Sequence, residues 1–145
     1  MNEPSDPVLA FIRVMWSVDH ELQRVSKRMV GSIGLTAPQR LALRFIGLNP
    51  GVTPGQLAEL LHLHPGTVTG IVSKLSALAL VARERSTDDT RRVHLRLSAA
   101  GQRLNRVRRG TVEAAVRRVS ATVPAAQLAE AAAVMRRVAS ELARE

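Results

Sequence analysis

Residues 53–98 read TPGQLAELLHLHPGTVTGIVSKLSALALVARERSTDDTRRVHLRLS, and this stretch decides the fold. Thr53-Pro54-Gly55-Gln56 has the form of a capping box, because a glutamine three residues after a threonine can reach back to the threonine amide. It predicts a short helix through the leucines at positions 57, 60 and 61. His64-Pro65 then opens a second helix, since proline is favoured at the first helical position. Its apolar face has helical spacing: Val68, Ile71, Val72, Leu75 and Leu78.

After Leu80 the apolar pattern changes from the period of a helix to that of a strand. Val81–Arg85 and Arg91–Leu97 predict two short strands. The polar residues 86–90 between them have the composition of a turn. A helix, a turn, a helix and a hairpin in this order predict a winged helix-turn-helix.

Two further helices precede this stretch. Thr36-Ala37-Pro38-Gln39 repeats the capping-box pattern and opens a helix that stops near Asn49. Asp6-Pro7 opens a long first helix, which ends at Gly31-Ser32-Ile33-Gly34. Its apolar residues recur at spacings of three and four, as in a heptad seam: Val8, Phe11, Met15, Val18, Leu22, Val25 and Met29.

Two helices follow the hairpin. Ser98 is expected to cap one long basic helix that runs past Val119, and Pro124 to start a last helix whose seam extends from Leu128 to Leu142. A compact middle lobe cannot cover the seams of the first and last helices, so we expect them to dimerise. The predicted fold is mainly α with a small β-hairpin wing. It is one domain, 1–145, with a DNA-binding lobe at 35–101 and dimerisation helices at 7–30 and 111–145.

Composition limits the partners. The 145 residues carry 21 Lys and Arg against 12 Asp and Glu, a net charge of +9, which favours a polyanion. One Trp, two Phe and no Tyr leave few rings for stacking on bases, which favours duplex over single-stranded nucleic acid. The chain has no apolar run of membrane-spanning length, no signal-peptide pattern and no cysteine. We therefore expect a cytoplasmic protein without a membrane partner, metal or cofactor.

Two motifs at the right separation resemble the MarR (multiple antibiotic resistance regulator) family. Asp89-Thr90-Arg91, followed by Leu97-Ser98, is similar to the family's wing pattern D-x-R-x-x-x-x-x-L-[ST]. Residues 65–69, continued by Ile71, Leu75 and Leu80-Val81, are similar to its recognition helix. The family usually has a glycine where this chain has Ala79, which puts the shape of that helix end in question. The resemblance covers 35–101 and implies a dimeric DNA-binding regulator.

The exposed face of the predicted recognition helix is small and polar. Short hydroxyls on a slim helix can bond base edges or phosphates in a major groove about 12 Å wide. An ordinary solvated face is the alternative, although such faces usually carry several charges and this one carries a single lysine. The DNA contacts predicted on this helix and its start are His64, Pro65, Thr67, Thr69, Gly70, Ser73 and Lys74.

The hairpin supplies further predicted DNA contacts. An arginine at a wing tip suits a narrow minor groove, where the negative potential is greatest. The resemblance implies that Arg91 is the inserted residue and that Asp89 orients its guanidinium; the alternative is an exposed ion pair with no other role. The contacts predicted here are Arg83, Arg85, Asp89, Arg91 and Arg92.

Other side chains have competing interpretations. Trp16 and His20, one turn apart, and Arg44 are candidates to line a small-molecule pocket, as the resemblance implies. Packing of Trp16 at a dimer interface is an equal alternative. His62 is expected at a helix end and His64 at a cap or phosphate, in preference to a metal site, because no carboxylate cluster lies beside them.

We therefore expect a regulator that binds an inverted repeat in promoter DNA as a homodimer, usually to repress, and responds to a ligand or another signal. The alternative is an architectural, largely nonspecific DNA-binding protein, and a helical adaptor that never touches DNA is the weakest candidate. No phosphate loop, nucleophile elbow or paired His-Glu metal motif occurs, so we do not expect an enzyme.

Overall fold

The computed structural model describes residues 5–145, which divide into two compact units, one ending at Thr111 and the other beginning at Val112. Met1–Pro4, part of the stretch on which the expectation about a signal peptide rests, lie outside the described residues. None of the helices described is long and apolar enough to cross a membrane. The elements are α1 (Pro7–Ile33), α2 (Ala37–Leu48), α3 (Pro54–Leu61), α4 (Pro65–Ala77), β1 (Val81–Arg85), β2 (Val93–Leu97), α5 (Ala99–Asn105), α6 (Val112–Ser120) and α7 (Ala125–Leu142).

The predicted helix starts are present. Thr36 and Thr53 each accept a hydrogen bond from the amide three residues on, and the glutamine at that position accepts one from the threonine amide. Asp6 caps α1 by accepting from the Val8 amide at 2.8 Å. These bonds satisfy amides that a helix leaves without internal partners. Local sequence therefore sets where α1, α2 and α3 begin.

The core of the first unit is aliphatic and lies among α2, α3, α4, α5 and the hairpin. Its fully buried side chains include Leu43, Ile46, Leu57, Leu75 and Leu95. The hairpin pairs Val81–Arg85 antiparallel with Val93–Leu97, so the second strand begins two residues later than predicted. Leu95 also exchanges backbone hydrogen bonds with the segment after α2, because its amide donates to the Val52 carbonyl and its carbonyl accepts from the Gly51 amide. The base of the wing is thus fastened to the lobe.

The predicted long basic helix after Ser98 is wrong. α5 ends at Asn105, and α6 does not begin until Val112. Arg40, only 3% exposed, donates to the carbonyls of Asn105 at 3.1 Å and Val107 at 2.8 Å, which would otherwise accept amides four residues on. Gly110 adopts a φ of 77°, outside the helical region. Helical spacing of the apolar residues gave no sign of this break.

The end of α4 has the shape that a glycine usually provides, although an alanine occupies the position. Ala79 has a φ of 56°, in the left-handed region. The Leu80 amide donates to the Leu75 carbonyl at 3.0 Å and the Ala79 amide to Ser76 at 2.9 Å, which is the Schellman pair of bonds. Ala79 therefore closes the helix with a Schellman motif despite the departure from the family pattern, and it bears the strain of a left-handed Cβ.

We expect Ala79→Gly to stabilise the protein by about 1 kcal/mol, since glycine adopts a positive φ without that strain. Ala77→Gly is the matched control. It lies in the last turn of α4 and should instead lose up to about 1 kcal/mol of helix propensity. Thermal unfolding at one protein concentration measures both changes. A lower melting temperature for Ala79→Gly would contradict the strain argument.

Apolar residues remain exposed on both units. On α1, Trp16 is 68% exposed, and Val8, Phe11, Val18 and Leu22 are also exposed, whereas Met29 at the end of the predicted seam is buried. In the second unit, α6 exposes Val116 and Val119, and α7 exposes Leu128, Met135 and Leu142. Exposed apolar stripes of this kind mark surfaces that a partner covers.

Candidate nucleic-acid interface

The two faces of α4 divide as the sequence predicts. Val68, Ile71, Val72 and Leu75 are buried, and the opposite face exposes Thr67, Thr69, Gly70, Ser73 and Lys74. Leu78, which was expected on the inner face, is 41% exposed because α4 has already ended at Ala77. The outward face is therefore a strip of short side chains with a single lysine.

Two side-chain bonds fix the start of α4. The Nδ1 atom of His64 accepts a hydrogen bond from the Gly66 amide at 3.1 Å, so His64 is the helix cap, one of the two roles predicted for it. This bond requires an unprotonated Nδ1, so the neutral ring carries its proton on Nε2. The hydroxyl of Thr69 donates to the Pro65 carbonyl at 3.0 Å. Thr69 can then offer DNA only acceptor lone pairs and a methyl group.

His62 lies at the end of α3, as expected. Its φ of 51° places it in the left-handed region, and the Leu63 amide donates to the Ala58 carbonyl at 3.1 Å, which closes the helix end. The turn between α3 and α4 thus consists of a left-handed residue, one leucine and a histidine cap. These three residues set the direction in which the chain enters α4.

Arg83 joins the wing to the exposed face of α4. Its Nε donates to the Ser76 hydroxyl at 3.2 Å, and its Nη2 donates to the Ser73 hydroxyl at 3.3 Å. Arg83 and Ser73 are exposed, and Ser76 is half-buried. The hairpin and the outward face of α4 therefore lie side by side.

The wing turn is built on hydrogen bonds to Ser86 and Asp89. The Ser86 hydroxyl accepts from the amides of Asp88 and Asp89, and the Asp89 Oδ1 accepts from the Arg91 amide at 3.0 Å. The remaining Asp89 oxygen lies 3.8 Å from Nε of Arg92. The expectation that Asp89 orients the guanidinium of Arg91 needs correction, because Asp89 holds the Arg91 backbone and pairs with Arg92 instead. The side chain of Arg91 is exposed at the tip.

An open groove of about 450 Å³ separates the wing turn from the start of α3. Arg91, Arg92 and Val93 line one side, and Thr53, Pro54 and Gln56 line the other. Two arginines thus lie opposite the start of α3 across this open groove. This groove continues the basic surface of the wing.

The winged helix-turn-helix matches a known family. Residues 33–92 match the model described as the MarR family. Over these residues the chain is similar to the MarR family. The resemblance to this family that the wing and recognition-helix motifs predicted is therefore confirmed over residues 33–92.

The similar MarR relatives are all described as regulators. An organic hydroperoxide resistance transcriptional regulator from Bacillus subtilis is 28% identical over 88 residues, which cover 61% of this chain and 60% of that protein. An HTH-type transcriptional repressor from Mycobacterium bovis is 29% identical over 109 residues, which cover 75% of this chain and 78% of the repressor. The chain thus spans less than two thirds of the length of the Bacillus relative.

Solved MarR-type structures have the same fold. The S. aureus MepR–DNA complex superposes with a TM-score of 0.72 at 18% identity, covering 91% of this chain and 97% of MepR. The PcaV regulator from Streptomyces coelicolor, solved with its natural ligand, has a TM-score of 0.70 at 25% identity, covering 97% of this chain and 98% of PcaV. The predicted fold class, mainly α with a hairpin wing, is confirmed.

The three candidate effector-lining residues are spread over α1 and α2. Trp16 and His20 are exposed on α1, and Arg44 on α2 donates to the Asn105 side chain at 3.3 Å. A second groove of about 280 Å³, lined by Gly47, Arg96, Asn105 and neighbours, lies beside α5. Neither groove is lined by Trp16, His20 or Arg44, so their role in ligand binding stays a prediction.

Sequence reasoning missed residues that shape this candidate interface. Ser86 organises the wing turn, and Ser76 accepts from Arg83. A serine at the start of a polar turn is a recognisable local signal, because its hydroxyl often bonds amides two and three residues on. The Ser76–Arg83 contact has no such signal, since it depends on how the hairpin packs on α4.

Proposed function

We propose that this chain is a sequence-specific repressor that binds an inverted repeat in promoter DNA as a homodimer. It works by binding and not by catalysis, and it acts in the cytoplasm. The observation that carries the proposal is the contact of Arg83 with Ser73 and Ser76, which sets a slim polar helix face beside an arginine-tipped hairpin. Those are the parts that read adjacent major and minor grooves.

In this proposal α4 enters the major groove and Arg91 the neighbouring minor groove. His64, Pro65, Thr67, Thr69, Gly70, Ser73 and Lys74 face the DNA from α4, and Arg83, Arg85, Asp89, Arg91 and Arg92 belong to the wing. The lobe at 35–101 binds DNA, and the segments 7–30 and 111–145 dimerise. Two recognition helices then meet half-sites about 34 Å apart.

A signal would act by changing the separation of the two recognition helices. A small-molecule effector bound near Trp16, His20 and Arg44 is one source of such a signal, supported by a PcaV structure that contains its natural ligand. The effector must bind one separation better than the other to shift the equilibrium. In one state of the dimer the two helices fit the operator and repress, and in the other state their separation no longer fits and repression is released.

A nonspecific architectural role is the second candidate, favoured by the net charge of +9. Footprinting on the DNA beside the protein's own gene, followed by titration of that duplex and a random one at several salt concentrations, separates the two. We expect a protected inverted repeat and a preference for it of about 10³-fold or more at physiological salt. Equal binding to both duplexes would favour the architectural role, and no binding at low salt would exclude both.

We expect a dimer at micromolar concentration. The apolar residues exposed on α1, and separately those exposed on α6 and α7, would otherwise remain in water. Sedimentation of the native protein measures this directly. A stable, folded monomer at that concentration would contradict the proposed dimerisation segments.

Thr69 and Lys74 should act on different parts of the DNA. Thr69 lies near the front of α4 and should contact bases through its lone pairs and methyl group, so Thr69→Ala should reduce the preference for operator over random duplex. Lys74, an exposed cation a turn later, should contact phosphate. Lys74→Ala should weaken binding to both duplexes and lower the slope of log affinity against log salt concentration by about 1. The assignment fails if both variants leave the preference and the slope unchanged.

A further inference from the structure

The position of Arg83 in the hairpin directs its side chain towards α4. Arg83 pairs across the sheet with Leu95, and cross-strand partners lie on one face. Leu95 is fully buried in the lobe, so this face is the one turned to the core. Glu84, the next residue, belongs to the opposite face and forms an ion pair with Arg96 at 3.0 Å. The side chain of Arg83 therefore contacts α4 and takes no part in the Glu84–Arg96 ion pair on the opposite face of the hairpin.

The two bonds of Arg83 make a fork. Nε and Nη2 belong to one rigid planar group, so donation to Ser76 and to Ser73 fixes both the distance and the rotation of β1 against α4. A lysine could keep the charge but could not make both bonds from fixed positions. Ser73 and Ser76 lie three residues apart, on one side of α4, and together form the matching acceptors.

We infer that Arg83 is a positioning residue that sets the angle of the wing on the recognition helix, and that Ser73 and Ser76 act through it and do not read bases. This inference rests on the proposed DNA-binding function and revises the part given there to Ser73. The wing tip lies roughly 10 Å beyond Arg83 along the strand, so a tilt of about 15° at the fork would move Arg91 by roughly 2–3 Å. Such a shift would take Arg91 out of register with the minor groove while α4 stays in the major groove.

A double-mutant cycle tests the inference. The pair Ser73→Ala/Ser76→Ala removes both acceptors, changes no charge and introduces a good helix former. Operator affinity is measured for this pair in the parent protein and in Arg91→Ala. We expect about a fivefold loss in the parent and less than a twofold loss in Arg91→Ala, with an unchanged salt slope. Equal losses in the two backgrounds would mean that the serines contact DNA themselves and would overturn the inference.

Arg83→Lys and Arg96→Lys form a matched pair of charge-conserving variants in the hairpin. Arg83→Lys should lose operator affinity as the serine pair does, because it keeps the charge and breaks the fork. Arg96 lies on the paired strand outside the proposed DNA contacts, and its partner is Glu84 at 3.0 Å, an ion pair that a lysine can also form, so Arg96→Lys should bind nearly as the parent does. If the two lysine variants bind alike, charge alone accounts for Arg83 and the fork has no role.

Amide hydrogen exchange in the protein without DNA provides a second arm. The serine pair should speed exchange of the hairpin amides, residues 81–97, several-fold and leave the core helices unchanged. This measurement tests the fork without DNA. If the parent protein showed no preference for any duplex, the proposed function would be rejected, but the positioning role of Arg83 could still be tested by exchange. Unchanged exchange in the hairpin would show that the wing is held without Arg83 and would overturn the inference.

Discussion

Replacing Arg91 with alanine is expected to weaken operator binding at least tenfold, about 1.4 kcal/mol, with almost no change in melting temperature. Arg91 is exposed in the wing turn, and its bond to Asp89 uses the backbone amide, which an alanine retains. Exposed substitutions of this kind usually change stability by about 0.5 kcal/mol or less. Binding should respond far more strongly, because a guanidinium in a narrow minor groove lies in a focused negative potential.

Two variants control this experiment. Arg144→Ala removes one exposed cation near the end of α7, so it reports the loss of general charge. Asp89→Asn keeps an oxygen that can accept from the Arg91 amide and should produce a milder loss than Arg91→Ala. The affinities are measured on folded dimer at physiological salt. Parent-like affinity for Arg91→Ala, or an equal loss for Arg144→Ala, would refute insertion of the wing.

Replacing Gly101 with alanine is expected to destabilise the protein by about 3 kcal/mol, at the upper end of overpacking effects. A Cβ at this position would lie 2.0 Å from the backbone oxygen of Leu80, far inside van der Waals contact. That oxygen accepts from the Ser98 amide at 3.0 Å, and the Ser98 hydroxyl donates to the Ala79 carbonyl at 2.6 Å. Making room for the methyl group must separate α5 from the end of α4 and lengthen these bonds.

Thermal unfolding at a fixed protein concentration measures this effect, and a decrease of roughly 10 °C is expected for a chain of this size. Gly55→Ala is the control. A Cβ there meets nothing within 4 Å, and the residue lies in the first turn of α3. Its stability should stay the same or rise slightly. Equal melting temperatures for the parent and Gly101→Ala would contradict the close approach of α5 to Leu80.

Features decided by neighbouring residues were predictable from the sequence. A Thr-x-x-Gln pattern contains its own capping bonds, so the starts of α2 and α3 could be placed to the residue. The change of apolar period after Leu80 predicted the hairpin, and the wing and recognition-helix motifs predicted the resemblance to the MarR family. The buried and exposed faces of α4 followed from helical spacing alone, apart from Leu78 at its end.

Features decided by distant residues were not predictable. Arg40 favours the end of α5 because its guanidinium donates hydrogen bonds to the backbone carbonyls of Asn105 and Val107, 65 and 67 residues further along the chain. Helical spacing continues through the break, so the pattern favoured one long helix where the structure has two. Asp89 could reach either the guanidinium or the amide of Arg91, and only the conformation of the turn decides which. The Arg83 fork likewise depends on the packing of two elements.

The exposure of Trp16 has a consequence for spectroscopy. Trp16 is the only tryptophan, the chain has no tyrosine, and the core of the lobe is aliphatic. Intrinsic fluorescence therefore comes from one indole on α1 and reports whatever covers that helix. Circular dichroism, in contrast, reports the helices of the whole chain. The denaturation curves from fluorescence and circular dichroism coincide only if α1 loses its partner surface in the same transition in which the helices unfold. If the fluorescence transition came first, the two curves would separate dissociation from unfolding without any added label.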